Sequence, residues 1–299
     1  MRKRNPKLSP ATPGPPLPEG DERGLVVHAD NLVALARVPD GSVDLVYIDP
    51  PFNTGRAQKR RRVRSVRDEG GEHVGFGGKR YRSVRDQAAS SVTFADAFED
   101  FPAFLEPRLR EARRVLAPHG TLYVHLDSRE AHYIKVLLDQ VFGRECFLNE
   151  LVWAYDYGGR PRDRWPAKHD DILVYVRTPG KHVFNRDEID RLPYMAPKLV
   201  TPEKAARGKL PTDVWWQTIV SPTGKEKTGY PTQKPIAVLE RIVRASAPPG
   251  GLVCDFFAGS GTTGAACLRN GRRFLLVDAN PEAITVMRER LGVEGIRYA

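Results

Sequence analysis

The tetrapeptide Asp49-Pro50-Pro51-Phe52 closes the apolar run VDLVYI. A carboxylate, a rigid diproline and an aromatic ring are suited to gripping an amino group on a flat ring. Asp49 accepts one N–H, the Pro50 carbonyl accepts the other, and Phe52 stacks on the ring. Two acceptors on one exocyclic amine localise its lone pair and make it a better nucleophile. A turn with a capping aspartate would use the same residues, and the tetrapeptide alone does not separate the two. A second cluster, Asp255 to Thr263 (DFFAGSGTT), places a glycine turn between an apolar run and a helical pattern. Glycine there permits close approach of a ligand, and the first amides of a helix point outward. Asp278 ends the next apolar run, 17 residues after Gly261, where a carboxylate can accept both hydroxyls of a ribose. The turn lacks the third glycine of GxGxxG, and no GKS or GKT follows it. A ribose-bearing ligand without phosphates therefore fits better than a dinucleotide or a nucleoside triphosphate.

Such residues need strands that end together. GLVVHAD from Gly24 reads as a strand closed by Asp30, NLVALARVPDGS as a helix, and VDLVYI as a buried strand, which the two prolines force out of the sheet at Asp49. FPAFLEPRLREARRVLAPHG, TLYVHLD and SREAHYIKVLLDQVFG continue as helix, strand and helix. From Pro235 the alternation returns as helix, strand, glycine turn, helix, the Asp278 strand and a last helix opened by Pro281. An α/β fold with a mostly parallel sheet and helices on both faces is expected.

The chain has 299 residues with 47 Lys+Arg against 37 Asp+Glu, a formal charge of +10 that favours a polyanionic partner. No run is long and apolar enough for a membrane span, and the N-terminus has no apolar signal core. The three cysteines lack the spacing of a disulfide framework or zinc site, so no metal is expected and a reducing, cytoplasmic compartment fits. Residues 1–23 read as a flexible basic Pro-rich tail. Residues 54–92 read as a mobile basic loop carrying Arg56, Lys59, Arg60, Arg61, Arg62, Arg64 and Arg67, with RSVRD duplicated at Arg64 to Asp68 and Arg82 to Asp86. Residues 144–227 interleave Trp153, Tyr155, Tyr157, Trp165, Trp215 and Trp216 with Arg160, Arg162 and Arg164, a composition that suits base stacking and phosphate contact and equally suits core anchoring.

Three segments together carry a resemblance to a known family. Asp49-Pro50-Pro51-Phe52 resembles the DPPY/F motif of exocyclic-amino DNA methyltransferases. Phe257-Ala258-Gly259-Ser260-Gly261 resembles their FxGxG S-adenosylmethionine motif, and Pro231-Thr232-Gln233-Lys234-Pro235 resembles the PTQKP segment of the β-class. The resemblance runs from Gly24 to the C-terminus; Phe52 stands where tyrosine is commoner, and residues 56–92 have no counterpart. It implies a circularly permuted, Rossmann-like methyltransferase domain: a catalytic half at 24–143, an inserted target-recognition region at 144–227 and a cofactor half at 228–299. It implies S-adenosylmethionine as cofactor, with Gly259, Ser260 and Gly261 beneath the methionine end, Asp278 on the ribose and Asp30 near the adenine. Lys234 would lie in the segment closing over the methionine, with His28, Ala29, Asp49, Asp255, Phe256, Phe257, Thr262, Thr263 and Ala279 also around the cofactor. The implied activity is N6-methylation of a flipped adenine in double-stranded DNA, contacted through the arginines and lysine named above. Cytosine N4 is the alternative target; an RNA or protein amino-group methyltransferase and a catalytically silent DNA-binding relative are further readings. A homodimer and a cognate restriction nuclease are left open as partners.

Overall fold

The computed structural model describes residues 17–52, 98–221 and 224–299, together with residue 70 and short strands between 58 and 94. Strand β1 (Gly24–His28) leads through helix α1 (Asn31–Leu35) to β2 (Val43–Ile48). Five short strands follow, β3 (Gln58–Lys59), β4 (Val63–Arg67), β5 (His73–Val74), β6 (Arg80–Arg85) and β7 (Thr93–Phe94). Next come α2 (Phe101–Val115), β8 (Leu116–Leu126), α3 (Ala131–Phe142), β9 (Phe147–Ala154), β10 (His169–Val176), α4 (Pro202–Arg207) and β11 (Val214–Trp216). The last stretch is α5 (Ile236–Ser246), β12 (Leu252–Asp255), α6 (Thr262–Arg269), β13 (Arg273–Asp278), α7 (Pro281–Leu291) and β14 (Ile296–Tyr298).

Nine strands form one sheet in the order β11-β9-β10-β8-β2-β12-β13-β1-β14. The run from β8 to β14 is parallel, whereas β10 pairs antiparallel with both β8 and β9. One face carries a core built with Leu35 of α1, Leu105 and Leu109 of α2 and Ile134 and Leu138 of α3. The other carries Leu239 and Ile242 of α5, Cys267 of α6 and Met287 of α7. This is the expected α/β arrangement, with apolar strands buried from both sides.

Strands β12 and β2 are sheet neighbours although about 200 residues apart in sequence. From β12 the chain winds one way through β13 towards β1, and β2 lies on the opposite side, so the order reverses between β12 and β2. A crevice at the carboxyl ends of strands opens at such a reversal. Register puts the chemical residues on that edge: His28 pairs with Asp278, and the Ile48–Val124 pair is the last of β2, one residue before Asp49.

Three sequence expectations change. Residues 17–23 are fixed rather than part of a free tail, because Arg297 donates to the Leu17 carbonyl at 2.8 Å and pairs with Glu22 at 2.8 Å. The segment 54–92 contains β3–β6, with β4, β6 and β5 forming an antiparallel sheet and β3 pairing β7 just beyond it. Residues 144–227 are not wholly outside the α/β body, since they supply β9, β10 and β11 to the main sheet. Among the described residues no helix is long and apolar enough to cross a membrane.

Candidate active site

The reversal holds a cavity of about 600 Å³, lined by Asp49 to Phe52, the 230–234 segment, the glycine turn and Asp278 to Pro281. Pro50 and Pro51 turn the chain out of β2, which leaves Asp49 at the rim of the sheet rather than within its ladder. Its side chain is only 17% exposed. Oδ2 accepts from Lys234 Nζ at 2.5 Å, and Oδ1 is buried with no hydrogen-bond partner among the described residues. The Lys234 ammonium, itself 8% exposed, also lies 4.5 Å from the centre of the Phe52 ring. One acceptor oxygen and one aromatic face therefore meet where an amino-bearing ring could enter.

The glycine turn is shaped by packing as much as by ligand access. Gly259 has φ +49° and a Cβ there would stand 3.2 Å from the Tyr230 ring. Gly261 has φ +70°, and its Cβ would meet Met287 Cγ at 2.7 Å, so this glycine lets α6 approach α7. Asp255, buried at the end of β12, accepts from the Phe257 amide at 3.0 Å and from the Thr263 hydroxyl at 2.6 Å. Burial, reinforced by the charges of Asp49 and Asp278, pushes its carboxyl up to about 7. Asp278 accepts from the Gly259 amide at 2.8 Å and the Asn280 amide at 2.8 Å, tying the end of β13 to the turn. Burial raises its pKa against those two amides. Each of its oxygens keeps a further lone pair for a donor in the cavity.

The 230–234 segment is braced by its own side chains. Gln233 accepts from the Thr228 amide and hydroxyl, both at 2.8 Å, and donates to the Glu226 carbonyl at 2.8 Å. Thr232 holds a left-handed φ of +58°, strain that this bracing sustains beside the cavity. Arg290 of α7 donates to the Thr262 hydroxyl at 2.8 Å, and Thr262 donates to the Lys234 carbonyl at 3.4 Å, fastening the segment to α6.

Of the residues read from sequence as site residues, Asp49, Pro50, Pro51, Phe52, Lys234, Asp255, Phe257, Gly259, Ser260, Thr262, Thr263, Asp278 and Ala279 line this cavity. His28, Ala29, Asp30, Phe256 and Gly261 do not. Asp30 caps α1, accepting from the Leu32 amide at 2.9 Å, and lies 3.6 Å from the Arg108 guanidinium. His28 meets the Ala279 carbonyl at 3.2 Å, and Phe256 is core. Arg56, Arg60, Arg61 and Arg62 lie outside the described residues; Lys59 falls in β3, and Arg64 and Arg67 in β4, whose backbones alone are described. Arg160, Arg162 and Arg164 are exposed, with Arg160 3.3 Å from Asp156 and Arg164 3.3 Å from Asp163. The aromatics of 144–227 divide: Trp153 and Trp215 are core, whereas Trp165 is 95% exposed and Trp216 76%. Tyr47, Tyr230 and Asn280 were missed as lining residues. Tyr47 had a sequence signal, since it lies in the same apolar run two residues before Asp49.

This geometry has counterparts among known proteins. Residues 43–289 match the family model described as DNA methylase, whose members are N6/N4 methyltransferases. The Type II methyltransferase M.HpaI of Haemophilus parainfluenzae is 32% identical over 270 residues, 90% of this chain and 74% of that protein. The DNA adenine methyltransferase YhdJ of Escherichia coli is 29% identical over 282 residues, 92% of this chain and 84% of that one. Two solved structures share the fold: an M1.HpyAVI–SAM complex (TM-score 0.57, 21% identity, 90% of this chain and all of that one) and the cytosine-N4-specific PvuII DNA methyltransferase (TM-score 0.59, 15% identity, 90% and 86%). With the DPPF strand end, the glycine turn and the Lys234 segment converging on one cavity inside the matched span, the chain belongs to the N6/N4 DNA methylase family.

Proposed function

We propose that the protein transfers a methyl group from S-adenosylmethionine to the N6 amine of adenine in duplex DNA, as a β-class, circularly permuted member of its family. The observation that carries this reading is the buried Oδ1 of Asp49, unpartnered among the described residues, in the same cavity as Phe52 and Asp278. The residues fit the cofactor: a volume of about 600 Å³ suits a nucleoside-sized ligand, and Asp278 keeps acceptor capacity for ribose hydroxyls in the cavity it shares with Asp49. When bound, S-adenosylmethionine supplies an electrophilic sulfonium methyl.

The chain's own residues then position the reaction. Asp49 and the Pro50 carbonyl hold the two amine hydrogens and direct the nitrogen lone pair at the methyl carbon, while Phe52 stacks on the ring. In-line displacement needs that alignment and no covalent enzyme intermediate. Adenine N6 is paired and stacked in the duplex, so the base must be extruded to reach Phe52. Lys234 must leave the Asp49–Phe52 corner as the base arrives. Asp49 as the first motif residue and the adenine activity named for YhdJ favour adenine over cytosine.

The permuted topology is supported by β12, β13 and β1 lying side by side: joining the C-terminus conceptually to Gly24 gives the series β12, β13, β1, β2 with helices α6, α7 and α1, broken only by the edge strand β14. Within 144–227, target recognition belongs to the parts outside the sheet, where Trp165 stands with Arg160, Arg162 and Arg164, and the 56–67 run contacts the DNA backbone. Expression in a host lacking DNA methylation, with digestion of its DNA to nucleosides and identification by mass, tests the reading. N6-methyladenine is expected; N4-methylcytosine as sole product would reassign the target.

A further inference from the structure

The cavity is short of positive charge. Asp49, Asp255 and Asp278 line it, and Lys234 is the sole cationic side chain among its described lining residues. The Lys234 ammonium is already bonded to Asp49 Oδ2 at 2.5 Å. S-adenosylmethionine ends in a carboxylate, and burying an anion in such a cavity is costly unless a cation lies close. A second cation stands directly behind the wall. Arg290 of α7 does not line the cavity, but its Nη1 donates to Thr262 Oγ1 at 2.8 Å, to Ser260 Oγ at 3.2 Å and to the Ser260 carbonyl at 3.3 Å. Ser260 and Thr262 both line the cavity.

The charge on Arg290 is poorly compensated. Its side chain is only 10% exposed, and among the described residues the one carboxylate within 4 Å is Glu226, whose Oε1 lies 3.8 Å from Nη2. That oxygen also accepts from the Ile236 amide at 2.7 Å, so it is shared. The acceptors bonded to Nη1 are two hydroxyls and a carbonyl, all neutral. Burial lowers the pKa of the guanidinium; Glu226 opposes this, and the nearby charge of Arg269 adds to it. An arginine stays protonated even so. A buried cation with neutral partners leaves a positive potential at the Ser260–Thr262 wall, and a low local dielectric strengthens it. Charge, rather than the direction of either hydroxyl proton, is what this arrangement fixes.

We propose that Arg290 is a positioning residue for the cofactor, which acts through the wall formed by Ser260 and Thr262 to hold the methionine carboxylate of S-adenosylmethionine. The inference rests on S-adenosylmethionine being the methyl donor. The same guanidinium serves both parts of the wall. Nη1 is bonded to the residues that open α6, and Nη2 approaches Glu226, which holds the Ile236 amide by its side chain and Gln233 by its carbonyl. Anchoring the carboxylate where these two parts meet places the charged end of the ligand away from any need for a further cation in the cavity.

Decarboxylated S-adenosylmethionine tests the proposal, because it keeps the adenosine, the sulfonium and the ammonium and lacks only the carboxylate. Calorimetric titration of the full chain with both ligands gives an affinity ratio that reports the carboxylate alone. Arg290→Met should weaken binding of S-adenosylmethionine about tenfold or more and of the decarboxylated ligand less than about twofold. Arg290→Lys keeps the charge on a different head group and should lose less than about threefold for S-adenosylmethionine. Equal weakening of both ligands in Arg290→Met would make the residue merely structural and overturn the proposal, as would a wild-type protein that binds both ligands equally. If Arg290→Met does not fold, Glu226→Gln removes the opposing charge and keeps an oxygen for the Ile236 amide. Its preference for S-adenosylmethionine over the decarboxylated ligand should rise about twofold or more, and an unchanged or reduced preference counts against the proposal. Failure of the wild-type protein to bind S-adenosylmethionine would instead remove the cofactor reading itself.

Discussion

Lys234 and Asp49 are 185 residues apart in sequence and form an ion pair of 2.5 Å in which the ammonium sits both on the carboxylate and over the Phe52 ring. The lysine thus places a nitrogen donor on the acceptor assigned to the target amine and a cation on the face assigned to its ring. It balances the Asp49 charge in a corner where both side chains are largely buried. Breaking one partner of such a pair leaves an uncompensated buried charge.

Lys234→Met and Asp49→Asn should each destabilise the protein, and the double variant should cost less than the sum. A coupling energy on the order of 1–3 kcal/mol is expected from denaturant titrations of the four proteins. Strict additivity would mean that the pair contributes nothing to the fold.

Asp49→Ala should abolish methyl transfer while S-adenosylmethionine still binds, because this carboxylate is assigned to the transition state. Asp278→Ala should show the reverse bias, with weakened cofactor binding, and should also loosen the glycine turn whose Gly259 amide it holds at 2.8 Å. Calorimetric titration of both variants with S-adenosylmethionine separates the two roles. Unchanged affinity in Asp278→Ala would remove that residue from the ribose.

The buried Asp255 carboxyl, pushed up to about 7, sets a pH dependence of stability. Between its ordinary value near 4 and about 7 the unfolded chain has released this proton and the folded chain keeps it. Stability from this group is therefore greatest below that window and falls as pH rises through it, by at most about 1.4 kcal/mol per pH unit. Asp255→Asn removes the decline. Denaturation midpoints measured at pH 5 and pH 8 should differ less for the variant than for the wild type, and parallel pH profiles would contradict the assignment.

Gly261→Ala meets two obstacles, a left-handed φ of +70° and the Met287 side chain 2.7 Å from the new Cβ. A loss of about 1–3 kcal/mol is expected. Since Gly261 does not line the cavity, cofactor affinity of the folded fraction should change little. Combining it with Met287→Ala should recover the steric part and leave the backbone part, as thermal melts of the single and double variants would report.

The sequence by itself determined the parts that short-range chemistry dictates. Two prolines cannot continue a ladder, so Asp49 had to stand at a strand end; glycines at 259 and 261 had to open a turn before a helix; and the alternation of apolar runs with helical periodicity required a mostly parallel sheet with helices on both faces. What only the tertiary structure decided depends on which strands become neighbours. The adjacency of β12 and β2 is what brings Asp255 and Asp49 to one cavity, and the path of the 230–234 segment, braced by Gln233 and Arg290, is what gives Lys234 to Asp49. Asp30 and Gly261 also show what tertiary contacts add to a residue type: Asp30 caps α1 through the Leu32 amide, and Gly261 lets α6 approach Met287 of α7. Trp153 and Trp165 were indistinguishable as residues, and burial separated them: one lies on a paired strand under the site and the other stands in a loop. The place of Arg290 had no local signature at all, because its bonds to Ser260 and Thr262 form only where α7 packs against α6, and a single sequence carries no record of which elements lie side by side.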